Sequence, residues 1–337
     1  MYRQIPIACT VFVFAFVFAA SGCSSASNPM VSPLANAVGF RHAPQSVGSW
    51  STKESLPTAR SFLGAGTVNA KVYAIGGYDG ATGNLNITGL RSVEAYDPRT
   101  DTWTSKAPMP TARYEFAVGV INGILYAVGG VSSSNNIQLN TVEAYDPATD
   151  TWTAKASMPT ARAGLAVGVI DGILYAVGGA GDGFYLSTVE AYNPATNTWT
   201  AKASMPTARC CLAIGVVNGR LYAVGGYYPN PLSIVEAYNP ATNRWTPKAS
   251  MPTARFNLAA SVLGGELFAV GGYNYDDGFL DTVEAYDTAT DSWQAKSTMP
   301  TARAGLVTGA AGSKLYAIGG YACLVGCPLG KVESFTP

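Results

Sequence analysis

Histidine is almost absent: His42 is the only one in 337 residues. Metal sites built on imidazole and nucleophile relays built on a His base have no material beyond that residue. Charge is scarce too. Lys and Arg number 21 and Asp and Glu number 21, so the net charge is zero and no basic block offers counterion release to a polyphosphate. Nucleic acid is not an expected partner. The Gly-Gly pairs close strands and do not precede helices, so they make no phosphate-cradling loop. What the chain does have is glycine, 37 residues of it, and Val, Tyr, Thr and Trp in short runs. That is the composition of strands and tight turns, and the expectation is an all-β fold. Length alone would allow two domains, so domain count has to come from internal organisation.

The first 23 residues have the three parts of a secretory signal: Arg3, the apolar run Val11–Ala20, and the small residues Ser21-Gly22 before Cys23. The apolar run is too short to span a bilayer. Ala20-Ser21-Gly22-Cys23 resembles a bacterial lipobox, with Ala20 where that pattern usually has Leu. The resemblance implies acylation of Cys23 and membrane attachment through that lipid only. Ordinary cleavage nearby, with Cys23 a bystander, is the other reading. Either implies an exported chain, periplasmic or outer-surface if anchored and secreted if not. Residues 24–47, rich in Ser, Ala, Asn and Pro and without period, read as a flexible tether.

From residue 48 to the C-terminus the chain repeats itself. Trp50, Trp103, Trp152, Trp199, Trp245 and Trp293 are each followed by a Pro-Thr-Ala-Arg, ending at Arg60, Arg113, Arg162, Arg209, Arg255 and Arg303. Each repeat continues through an apolar strand, a turn, a Gly-Gly-ending strand and a Val-Glu strand. The first glycines of the pairs, Gly76, Gly129, Gly178, Gly225, Gly271 and Gly319, stand 46 to 53 residues apart. In one repeat, Ala163–Ile170, Ile173–Val177, Thr188–Tyr192 and Thr198–Ala203 read as strands a to d, with Asp171-Gly172 as a two-residue hairpin turn.

The double Gly, the Tyr shortly before it, the Tyr-Asp/Asn-Pro turn and the spaced Trp together resemble the kelch repeat. The resemblance implies a six-bladed β-propeller of four-stranded antiparallel blades, a single unit over 48–337. The last repeat lacks a Trp strand, and the segment Ser49–Ser55 is expected to supply it, closing the ring and removing open sheet edges.

Alternating strand direction sends the d–a and b–c loops to one face, the candidate site. The short, near-identical turns such as Asn193–Thr196 lie on the other and read as scaffold. The repeat arginines, Arg113, Arg209 and Arg255 among them, are expected to pair with the strand-c glutamates as framework, with a minority able to reach a ligand. Candidate binding residues are those that differ between repeats: Phe62, Tyr78, Tyr114, Glu115, Cys210, Tyr227, Tyr228, Phe256, Asn257 and Tyr273. Aromatics beside Asn and Asp suit a neutral carbohydrate or a peptide.

In oxidising surroundings Cys323 and Cys327 are expected to bridge. Cys210-Cys211 could be a vicinal bridge, a reduced packed pair or, least, a metal ligand pair. No metal or cofactor is expected. The expected function is a non-catalytic binding module at the cell envelope, a monomer recognising an unidentified protein or glycan. The alternative is a sugar-active enzyme resembling the sialate mutarotases, with Glu115 for proton transfer and arginines for a carboxylate. A copper radical oxidase resembling galactose oxidase is rejected, because that site needs two His ligands.

Overall fold

Each repeat contains two β-hairpin signals and no helical period, and each becomes a four-stranded sheet. The computed structural model describes residues 48–80, 89–323 and 327–337. The expected export signal, Cys23, the expected tether and His42 lie outside them.

Six antiparallel sheets, each ordered a-b-c-d, surround one axis. Blade 1 comprises Gly64–Val68, Lys71–Ile75, Val93–Asp97 and Thr102–Lys106. Blade 2 comprises Ala117–Ile121, Ile124–Val128, Val142–Asp146 and Thr151–Lys155, and blade 3 Ala166–Ile170, Ile173–Val177, Val189–Asn193 and Thr198–Lys202. Blade 4 follows with Ala213–Val217, Arg220–Val224, Val235–Asn239 and Arg244–Lys248, and blade 5 with Ala259–Leu263, Glu266–Val270, Val283–Asp287 and Ser292–Ala295. Blade 6 takes strands a to c from the C-terminus, Val307–Ala311, Lys314–Ile318 and Val332–Thr336, and strand d from Ser49–Lys53. Ser49 pairs with Thr336 and Lys53 with Val332, so the two ends of the ring are stitched by a full ladder. Strand a of blade 3 starts at Ala166, three residues later than its sequence predicts. Gly164, at φ +60°, turns the backbone out of the strand and toward the axis.

The blades stack through apolar faces. Between blades 3 and 4, Tyr175, Val177, Met205, Leu212, Leu221 and Tyr238 are buried together. Each such large side chain contributes about 1.5–3 kcal/mol on leaving water, and equivalent clusters recur at the other junctions. Each Trp ring packs on the Tyr or Phe of its own strand c, with centroids 5.1 Å apart for Tyr145–Trp152 and 5.2 Å for Trp50–Phe335. Each indole N–H donates to a carbonyl of the preceding blade, as from Trp199 to Ala156 O and from Trp50 to Ser297 O, both 2.9 Å. The c–d turns add a second latch. Asp150 accepts from the Tyr145 hydroxyl at 2.5 Å and from the Ala107 N–H of the preceding blade at 2.8 Å. Those two donors hold its carboxyl below the usual carboxylate range.

The Gly-Gly pair exists because the chain approaches itself there. A Cβ on Gly129 would stand 2.7 Å from Arg162 O, and one on Gly130 2.7 Å from Tyr114 O, and both residues have positive φ.

Candidate binding face

The six Pro-Thr-Ala-Arg arginines are wholly buried, and each meets the strand-c glutamate of its own blade. Nitrogen–oxygen distances run from 2.5 Å for Arg209–Glu236 to 3.1 Å for Arg303–Glu333. Other guanidinium donors reach carbonyls, as Arg162 donates to those of Gly178, Thr188 and Ala176, while the Nε of Arg209, Arg255 and Arg303 meets no acceptor. Burial pulls Arg162, Arg255 and Arg303 down to about 10, against the raising pull of their glutamates, so all stay charged at neutral pH. Arg113, Arg209 and Arg255 are therefore framework and not ligand contacts. Tyr114 and Cys210, also at 0% exposure, are corrected in the same way: their repeat position pairs with the b–c loop and turns its side chain into the protein.

The next residue in each repeat faces the axis. Phe62, Glu115, Gly164, Cys211, Asn257 and Gly305 all have φ between 51° and 60°. Their backbones join in a closed ring in which each N–H donates to the carbonyl of the equivalent residue in the preceding blade, at 2.7–3.0 Å. This ring rims a cavity of about 190 Å³ lined by the innermost strands, chiefly by Leu, Val and Ala. Its polar groups are few: Glu115, Cys211, Asn257 and Thr308. Asn257 donates to the Tyr321 hydroxyl across the mouth at 3.1 Å. Burial pushes the Tyr321 hydroxyl up. Sites for small organic ligands run about 300–1,000 Å³, so this space suits a few waters better than a sugar.

The b–c loops around the mouth are asymmetric. An arc of aromatic rings runs from blade 3 to blade 1, each ring touching the next. Tyr185 meets Tyr227 and Tyr228, with centroids at 5.8 and 5.2 Å. Tyr227 meets Phe256 at 5.1 Å, and Phe256 meets Tyr273 at 5.6 Å. Tyr273 passes to Phe279, Phe279 to Tyr321 and Tyr321 to Phe62, at 5.1, 5.4 and 5.1 Å. Tyr275 donates to the Tyr227 hydroxyl at 3.0 Å. Ile137, Phe184, Tyr228 and Tyr275, the large hydrophobic side chains left exposed among the described residues, are all in b–c loops. The same loops carry Asp79, Asp182, Asp276, Asp277 and Asp281 against Arg91 and Lys331, so the face is acidic.

Of the residues singled out from sequence, Phe62, Tyr227, Tyr228, Phe256 and Tyr273 are brought together in this arc, and Glu115 and Asn257 at the mouth. Tyr78 stands apart beside the buried Tyr114, with centroids 6.5 Å apart. Tyr185, Tyr275, Phe279 and Tyr321 complete the arc, with Phe184 exposed beside it, and none of the five was singled out as a site residue. Tyr321 follows its Gly-Gly pair as Tyr78, Tyr227 and Tyr273 do, and that position was its signal; the others are aromatic residues of loops outside the repeat register. Among the described residues no group of three or more His, Cys, Asp or Glu side chains is placed to hold a metal.

Family models match this sequence. The KLHDC2/KLHL20/DRC7 Kelch-repeats domain matches residues 40–226 and 108–272, and the Kelch motif matches residues 254–300. The chain belongs to the kelch-repeat family. Among curated relatives, the Influenza virus NS1A-binding protein homolog of Mus musculus is 36% identical over 118 residues, 35% of this chain and 17% of that protein. Kelch-like ECH-associated protein 1A of Danio rerio is 40% identical over 87 residues, 26% of this chain and 14% of that protein. Beta-scruin of Limulus polyphemus is 33% identical over 87 residues, 26% of this chain and 9% of that protein. The chain thus spans under a fifth of these relatives' length. A solved structure, that of YjhT, superposes with a TM-score of 0.71 at 18% identity, covering 84% of this chain and 97% of that one. It shows the shared kelch propeller fold.

Proposed function

We propose that this kelch propeller is a non-catalytic binding module that takes a protein segment on the face of its b–c loops. The observation that carries the reading is where the apolar surface is left uncovered. Phe184, Tyr228 and Tyr275, at 72%, 49% and 58% exposure, stand on adjoining blades over the aromatic arc. Exposed aromatics on rigid loops mark interaction sites, because such rings bury much area at small entropic cost. The acidic margin favours a segment carrying Lys or Arg, whose cations can also lie over tyrosine rings.

A mutarotase-type reading finds less support. The arginines that would hold a sugar carboxylate are committed to buried glutamates, and Glu115 is only 9% exposed above a small apolar space.

Export and a lipid on Cys23 belong to the same proposal and rest on residues 1–23 of the sequence. Strand d of blade 6 begins where other blades have their c–d turn, at the strand end opposite the b–c loops. A tether there would present the aromatic face away from its anchor. The test is a thermal-shift screen of the full chain against basic peptides, acidic peptides, neutral sugars and sialic acids. Basic peptides should raise the midpoint in a dose-dependent way. A response to sialic acids alone would contradict the reading.

A further inference from the structure

The ring at the cavity mouth contains one chemically distinct step. In blade 4 the two variable positions after the repeat arginine are both cysteine, where other blades have pairs such as Ser61-Phe62, Tyr114-Glu115 and Phe256-Asn257. Cys210 and Cys211 hold their sulfurs 2.8 Å apart, inside the van der Waals contact of two sulfur atoms. Both backbones are fixed from outside the pair. Cys210 exchanges hydrogen bonds with Tyr227, its N–H donating at 3.3 Å and its carbonyl accepting at 2.9 Å. Cys211 is held in the axial ring, its N–H donating to Gly164 O at 2.7 Å and its carbonyl accepting from Asn257 N–H at 2.9 Å. Two thiols this close lie near bonding distance, so an oxidant can join them with little movement of the side chains.

We propose that Cys210 and Cys211 are a reversible vicinal disulfide site, coupled through the Cys210 backbone to Tyr227 in the aromatic arc. Accessibility sets the order of events. Cys210 is wholly buried and Cys211 half-buried at the mouth. With a small disulfide such as oxidised glutathione as oxidant, the Cys211 thiolate attacks one sulfur, breaks its S–S bond and releases one glutathione thiolate. The Cys210 thiolate then attacks the Cys211 sulfur of the mixed disulfide and releases the second. The two cysteines lose two protons and two electrons, and the glutathione disulfide gains them as two thiols. Closing the eight-membered ring moves the Cys210–Cys211 peptide. The longer of the two Cys210–Tyr227 hydrogen bonds responds first.

The full chain is reduced, exposed to oxidised glutathione while folded, denatured with N-ethylmaleimide and digested with trypsin. Cleavage after Arg209 and Arg220 puts both cysteines in one peptide, and Cys323 and Cys327 in another. The expected 210–220 peptide is unlabelled and two hydrogens lighter than its reduced form. Double maleimide labelling, or a persistent glutathione adduct on Cys211, would overturn the proposal. Cys210→Ser, which places the Ser found at position 61 of blade 1, should trap glutathione on Cys211; no adduct would overturn the assigned order. Amide exchange at Cys210, whose N–H makes the longer of the two bonds to Tyr227, should quicken several-fold on oxidation, and identical exchange in both states would overturn the coupling.

Discussion

Replacing Arg255 by Met removes a cation that is wholly buried and leaves its partner behind. Glu284, with a side chain 5% exposed, would keep one donor, the Thr253 hydroxyl at 2.9 Å. Removing one partner of a buried pair costs about 3–5 kcal/mol, because the remaining charge has no water to turn to. The carbonyls of Ala269 and Thr282, which now accept from the guanidinium at 3.3 and 3.4 Å, also lose a donor. Against a total stability of about 5–15 kcal/mol the loss is large but leaves a folded population. The assay is urea unfolding followed by tryptophan fluorescence, since the Trp rings sit at the blade junctions. With a slope near 3 kcal/mol per molar urea, the midpoint should fall by about 1–1.7 M. Adding Glu284→Leu removes the stranded charge and should recover most of that loss, leaving about 1–2 kcal/mol for the carbonyls and the Thr253 hydroxyl. A single variant that loses less than about 1 kcal/mol, or a double variant no better than the single, would refute the assignment of these arginines to the framework.

Three further outcomes follow. Asp150 accepts two hydrogen bonds that lower its folded pKa, so its contribution is present above the unfolded carboxylate range, about pH 4, and is lost as pH falls through the folded value. Asp101 and Asp291 behave alike, while Asn197 and Asn243 hold the same latch without titrating. The triple change of these aspartates to Asn should flatten the urea midpoint between pH 5 and pH 2; an unchanged slope would show that other carboxylates dominate acid unfolding. Removing residues through Lys53 exposes the edge of Val332–Thr336 and removes the Trp50–Phe335 packing. Gel filtration should then show self-association, and a monomer with wild-type stability would contradict the closure argument. Cys23→Ser should abolish metabolic labelling by an alkynyl fatty acid in a bacterial host, and retained label would place acylation elsewhere.

The fold was legible because repetition multiplies weak local signals. One hairpin turn or one Trp says little; six in register specify a blade, and a missing Trp strand at the C-terminus identifies Trp50 as its replacement. The face was legible only in part. Variation between repeats pointed to the loops that carry the aromatic arc, but it does not say which of two adjacent variable residues faces the axis. Tyr114 and Cys210 were drawn in because the sequence does not show that their position pairs with a b–c loop, whereas Glu115 and Cys211, one residue on, take the left-handed conformation that turns them to the mouth. Phe279 escaped notice because its place in the arc depends on contacts between different blades, which no single repeat encodes; Tyr321 was within reach, since it stands at the repeat position of Tyr227 and Tyr273.

The most direct test of the binding face is a peptide selection. A displayed random peptide library is selected on the full chain, and the recovered peptides are measured against Phe184→Ser/Tyr228→Ser/Tyr275→Ser and against a control altered in the Asn193–Thr196 turn. The account expects peptides enriched in Lys and Arg, with affinity reduced at least tenfold by the triple change and unaffected by the control. Each lost aromatic anchor is worth about 1 kcal/mol or more. Peptides that bind the triple variant as tightly as the wild type, or that lose binding with the turn control, would place the recognition surface elsewhere.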